Sequence, residues 1–173
     1  MEHLAAVLER EGEALELLLF KLTETKLLLE AGEARFLPRA TGEVERARTR
    51  AREVDLLRAA TFARSTDRPT LREVASTAPA PWPPILRDHH QVLSRLVAEI
   101  ELVAHRNAEQ ARAGLEELSR QPVTEAALVG AGAAPMRPVR NAELDRLARG
   151  AALEAVLGTA ARLRMPDLLD FLR

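Results

Sequence analysis

Leu4, Leu8, Glu11, Leu15, Leu18, Leu22, Thr25 and Leu29 follow one another in alternating steps of four and three residues. Side chains at that spacing return to one face of an α-helix turn after turn, so the pattern predicts a single helix over residues 2–31. Leu17, Leu19, Leu27, Leu28 and Phe20 widen the stripe beyond the seam of a two-stranded coil, so the helix is expected to touch more than one neighbour. At 1.5 Å per residue it is ~45 Å long, and Ala31-Gly32 supplies its C-cap.

The rest of the chain repeats this theme. A second helix is expected over 33–63, with Pro38 in its first turn and Phe36, Leu37, Ala40, Val44, Ala47, Ala51, Val54, Leu57 and Phe62 as its apolar residues. Its outer face carries Arg46, Arg48, Arg50 and Arg52, whereas the first helix is rich in Glu. Antiparallel packing would set opposite charges against each other at the rims, at ~0–1 kcal/mol per exposed pair. Thr70 can cap a short helix over 71–76. Pro79, Pro81, Pro83 and Pro84 then predict an extended, stiff connection pinned by Trp82.

A third long helix is expected over 85–120, with the seam Leu86, His89, Leu93, Leu96, Ile100, Val103, Asn107, Ala111, Gly114 and Leu118. The small residues at 111 and 114 leave room for close approach of another helix, and Asn107 reads as a register-setting polar residue. Glycine, alanine and proline dominate 121–139, which reads as a linker. A last amphipathic helix follows from an N-cap at Asn141 to about 164, carrying Leu144, Leu147, Ala151, Leu153, Val156, Leu157, Ala160 and Leu163; Pro166 breaks it before Leu168-Leu169-Asp170-Phe171-Leu172-Arg173. A lone amphipathic helix is marginal in water, so this tail must dock. The expectation is an all-α fold of long antiparallel helices, in a bundle or coiled-coil-like hairpin, with a helical unit at 1–120, a flexible linker at 121–140 and a docked C-terminal helix at 141–173.

Composition narrows the function. The chain has no cysteine, which removes disulfides, thiol catalysis and Cys-ligated metals. A net charge of −1 gives no general attraction to nucleic acid or to an anionic membrane. The acidic, amphipathic start is not that of a signal peptide, and no apolar run approaches the ~20 residues of a membrane span, so a cytosolic location is expected. Asp88, His89, His90 and His105 point in different directions on a helix and make no metal-ligand spacing. The pairs Glu43/Glu45, Glu99/Glu101 and Glu116/Glu117 read as solvated helix faces. Phosphate-loop, nucleophile-elbow and zinc-protease motifs are absent, so neither enzymatic activity nor a cofactor is expected. Protein binding by helix-in-groove packing remains.

The stretch LEREGEALELLLFKLTETKLLLEAGEARFL (8–37), followed in order by ATGEVERARTRAREVDLLRA, LREVASTAPAPW and DHHQVLSRLVAEIELVAHRN, resembles the actinobacterial branch of the FlgN family over about residues 4–120. The resemblance implies a cytosolic flagellar export chaperone with long antiparallel helices. Such proteins hold the C-terminal helices of the hook–filament junction proteins FlgK and FlgL and deliver them to the type III export gate. The family's cargo surface falls here on helix 85–120, with Leu93, Leu96, Ile100, Val103 and Leu118 as the expected contacts. The tail AALEAVLGTAARLRMPDLLDFLR (151–173) is similar to the end of an FlgL-type junction protein, which makes Leu153, Val156, Leu157, Leu163, Leu168, Leu169, Phe171 and Leu172 the cargo-like side. Together the two resemblances imply chaperone, linker and cargo end in one chain, as in a fusion that traps a complex. The tail is expected to dock in cis or on a second copy as a swapped dimer. The alternative reading is a structural helical bundle whose last helix completes its own core or a homo-oligomer interface.

Overall fold

The structure, a computed structural model, describes residues 1–62, 69–120 and 138–173; of the predicted linker over 121–140, residues 121–137 lie outside the described residues and 138–140 belong to a helix. The fold is all-α: α1 (Glu2–Glu30), a 3-10 turn (Ala34–Phe36), α2 (Leu37–Thr61), α3 (Leu71–Thr77), α4 (Trp82–Arg120), α5 (Pro138–Ala161) and α6 (Pro166–Leu172).

Gly32 ends α1 with φ at +70°, a left-handed conformation that glycine adopts without a Cβ penalty. The Glu33 N–H then donates to the Leu28 carbonyl at 2.9 Å and the Gly32 N–H to that of Leu29 at 3.1 Å, closing a Schellman cap. This reversal and the 3-10 turn consume residues 32–36, so α2 starts at Leu37, later than the sequence suggests. At the other junction α4 starts at Trp82, earlier than predicted. Pro83 and Pro84 fall in its first turn, where no intrahelical N–H is needed, which shortens the expected extended connection. Thr70 caps α3 in a full capping box with Glu73.

α2 runs antiparallel to α1, since Lys21 pairs with Glu43 near one end and Glu11 with Arg58 towards the other. α4 runs parallel to α1: Leu93 shares a trough with Leu8, and Asn107 reaches the Leu22 carbonyl. α5 returns antiparallel to α4, with Arg146 donating to the Leu118 carbonyl and Leu153 lying against Gly114. The four long helices therefore neighbour one another in the cyclic order α1, α2, α5, α4. α5 covers only half of this arrangement. Its helix stops at Ala161, and α6 resumes at Pro166 to cover the other half against α2, α3 and α4. The fourth side is thus one broken helix.

The main apolar core draws on α1, α2, α3 and α4 and takes in Leu163, Leu168, Phe171 and Leu172 from the C-terminal segment. A second cluster joins Leu37, Ala111 and Leu118 to Ala152, Leu153 and Val156.

Several expectations need correction. Leu57 is 53% exposed while Arg58 is 3% exposed, so the inward stripe of α2 passes through 51, 54 and 58. Leu144 and Leu147 on α5 point to solvent, as do Leu17, Phe20 and Leu27 on α1 and Phe36 at the turn. The helix of the C-terminal segment begins at Pro138, which puts Asn141 inside α5 instead of at its cap. Few rim charges cross between α1 and α2. Arg39 and Arg46 face Glu43, and Arg48 faces Glu45, within α2 itself, because residues three and four apart share a helix face.

Candidate functional site

The candidate site is the seam that receives α5 and α6. At one end, Leu118 and Ala111 of α4 meet Ala152, Leu153 and Val156 of α5, with Leu157 partly buried against them. A Cβ built on Gly114 would lie 3.0 Å from Leu153 Cδ1, so the small residues at 111 and 114 do admit a close neighbour. At the other end, Leu93, Leu96 and Ile100 belong to the same core cluster as Leu163, Leu168, Phe171 and Leu172, and Val103 packs at its edge. Leu93 and Ile100 are nearly inaccessible, and the cluster also contains α1 and α2 leucines; these side chains are shared core as well as seat. Leu169 faces outward at 36% exposure, beyond the buried row.

α6 is held by polar contacts as well. Arg58 is buried, with Nε 3.1 Å from Glu11 Oε1 and also 3.1 Å from Oε2. Only Oε1 is aligned to accept a hydrogen bond; Oε2 has none. A terminal nitrogen of Arg58 donates to Asp55. The guanidinium sits 4.3 Å from the centre of the Phe171 ring, and Phe62 packs on the same ring at 5.5 Å. A desolvated cation over an aromatic face is attracted by the ring quadrupole. His90 of α4 closes the other side, its Nε2 at 2.9 Å from the Leu172 carbonyl. Burial pushes the Glu11 carboxyl up to about 7; Arg58 pulls it down, and Asp55 adds a smaller upward push.

Where α5 ends, Arg162 straps the elbow to α2 by donating to Glu45 at 2.6 and 3.0 Å. Partial burial raises the Glu45 pKa, but its bonds from Arg162 and Arg48 outweigh that and hold it below the usual carboxylate value. Lys21 bridges Glu24 and Glu43 at 2.8 Å each, which raises the lysine and, with Arg39, lowers Glu43.

Mid-seam, Thr25, Thr41, Asn107 and Thr159 bring one buried polar side chain from each of the four long helices to a small cavity. Each threonine hydroxyl donates to a carbonyl four residues back on its own helix. Asn107 Nδ2 donates across to the Leu22 carbonyl at 2.9 Å, and its Oδ1 has no partner. Such a cross-helix bond selects one axial register, since a slipped helix would strand the amide.

Sequence reasoning named Glu11, Asn107 and Thr25 as seam positions and weighed His90 only as a metal ligand, but missed Arg58 and Asp55. The spacing Ala51, Val54, Arg58 was the available signal for the first. Among the described residues no group of three or more His, Asp or Glu side chains is placed to hold a metal ion. No helix among them is long and apolar enough to cross a membrane. No protein-family model matches the chain, and neither does any curated protein or solved structure.

Proposed function

We propose that the chain is a helical holding protein of the kind the FlgN resemblance implies. Its body, α1 to α4, shields a leucine-rich amphipathic end destined for export, and α5–α6 occupy that seat in cis. The reading rests on one observation. Ala152, Leu153, Val156, Leu163, Leu168, Phe171 and Leu172, all on a segment that follows the 121–137 stretch, are buried in two clusters with side chains of the body. An unassembled junction-protein end exposes just such leucines and phenylalanines, and each one buried contributes ~1.5–3 kcal/mol. In this reading the partners are FlgL-type and FlgK-type ends and an export gate, and the setting is cytosolic.

A second reading is favoured by the Glu11–Arg58–Asp55 cluster. Charges this deep beneath Phe171 suit a permanent fourth helix, because an open seam would wet them.

A protease site inserted within 121–137 of the full chain separates the two readings. After cleavage, the holding reading expects α5–α6 to dissociate on dilution while residues 1–120 stay cooperatively folded and take up added segment at micromolar affinity or better. Collapse or precipitation of the body on loss of the segment would overturn it and leave the permanent-helix reading.

A further inference from the structure

A second trough runs between the N-terminal halves of α1 and α4, and no residue of α2, α5 or α6 lines it. Its volume is about 470 Å3. The floor is Leu8, Gly12 and Leu93; Ile85 and Val92 stand along one wall at 36% and 41% exposure. Glu9, Glu13, Glu16 and Asp88 rim it together with His89, and no lysine or arginine lines it.

Two observations indicate that something else completes this surface. The first is charge. None of Glu9, Glu13, Glu16 and Asp88 has an ion-pair or hydrogen-bond partner among the described residues, and the four crowd one trough with no lysine or arginine in its lining. The second is Gly12. Glycine within a helix is a costly choice, and packing does not require it here, since an added Cβ would meet no atom within 4 Å. Its effect is to deepen the trough and bring the α1 backbone within reach of a bound side chain.

We propose that this trough docks a positively charged amphipathic helix of a partner protein. The lining residues span two turns of each wall, 8 to 16 and 85 to 93, or ~12 Å at the helical rise. That length matches two turns of an incoming helix with anchors at i, i+3 or i+4, and i+7. Its apolar anchors would rest on Gly12, Ile85 and Val92, above the buried Leu8 and Leu93, and its Lys or Arg side chains would meet the four carboxylates. The seat of α5–α6 stays filled throughout, so the proposal stands whether or not that segment ever leaves.

The test uses the full chain labelled with 15N and a synthetic helical peptide with leucines at the anchor positions and lysines beside them; a peptide with glutamate for each lysine is the control. The lysine peptide is expected to shift the amides of Gly12, His89 and Val92, to bind more weakly as salt rises, and to outbind the control. Glu13→Gln with Glu16→Gln should weaken it several-fold. Gly12→Leu should weaken it about tenfold or more by filling the trough, with thermal stability at or above wild type because leucine is the better helix former. Unchanged affinity in Gly12→Leu, or shifts centred on Phe20 and Leu27 or on the α4–α5 seam, would overturn the assignment. Concentration-dependent shifts at Gly12 without peptide would overturn it in favour of a second copy as the occupant.

Discussion

Glu11→Gln tests the electrostatics beneath α6. The Glu11 carboxyl has a pKa of about 7 in the fold, against 4.5 as its ordinary value, because burial penalises the anion more than Arg58 rewards it. The folded chain therefore binds more protons than the unfolded chain between those values. The sign follows: stability is greatest below the unfolded pKa, falls as pH rises through the window from 4.5 to about 7, and levels off above it. The shift corresponds to roughly 3 kcal/mol over the full window, as an upper bound. Glutamine keeps the shape and can still accept from Arg58 Nε, but it does not titrate. Every other ionisable group is common to both proteins, so its contribution cancels in the difference. Urea denaturation of wild type and variant from pH 5 to 8, with unchanged m-values as a control, should show the variant gaining on wild type by roughly 1–3 kcal/mol as pH rises. A difference that is flat with pH, or that moves in favour of wild type, would mean that Glu11 is an ordinary ion-pair carboxylate and that the argument from burial is wrong.

Three further outcomes are expected. Phe171→Ala should cost about 3 kcal/mol in urea denaturation through cavity formation and loss of the Arg58 contact, with hydrogen exchange in α6 accelerating more than in α1. Gly32→Ala should cost about 1 kcal/mol or more, because the +70° φ strains any residue with a Cβ; an unchanged melting temperature would refute the cap. Asn107→Leu should raise the melting temperature by a few degrees, since it removes an unpaired buried Oδ1. The same variant should broaden or double the amide signals of α1 and α4 as the register loosens; a single sharp spectrum would show that Asn107 does not set it.

Much of the fold was legible because long amphipathic helices write their burial at fixed spacing. The four-three steps of α1, the Gly32 stop, the Thr70 cap and the small pair at Ala111 and Gly114 all mean in the structure what they mean in the sequence. The misreadings have physical causes. At Leu57 and Arg58, hydrophobicity pointed to one residue and periodicity to the next, and periodicity prevailed because Glu11 and Asp55 accept hydrogen bonds from the buried guanidinium. The apolar residues Phe20, Leu27, Leu144 and Leu147 looked like core, but each lies off the face that a neighbouring helix covers. Proline was read as a helix breaker at 83 and 84, although the first turn tolerates it. At the seat itself, the leucines of α4 were visible in the sequence. Their double duty as core and seat was not, because only the packed layout shows which neighbours share them.

The interruption between Ala161 and Pro166 has a kinetic consequence. A continuous helix melts and re-forms as a unit, because each hydrogen bond supports the next. Here the ladder stops at the elbow, so α5 and α6 can open and reclose separately. While one half is away, the other keeps it at high local concentration and recapture is fast. Complete departure requires both halves to be open at once, which lengthens the seated lifetime without any tighter contact. Under the proposed holding function, a competitor would enter stepwise, taking the place of α6 first and of α5 afterwards, with Arg162 on Glu45 as the catch between the two steps.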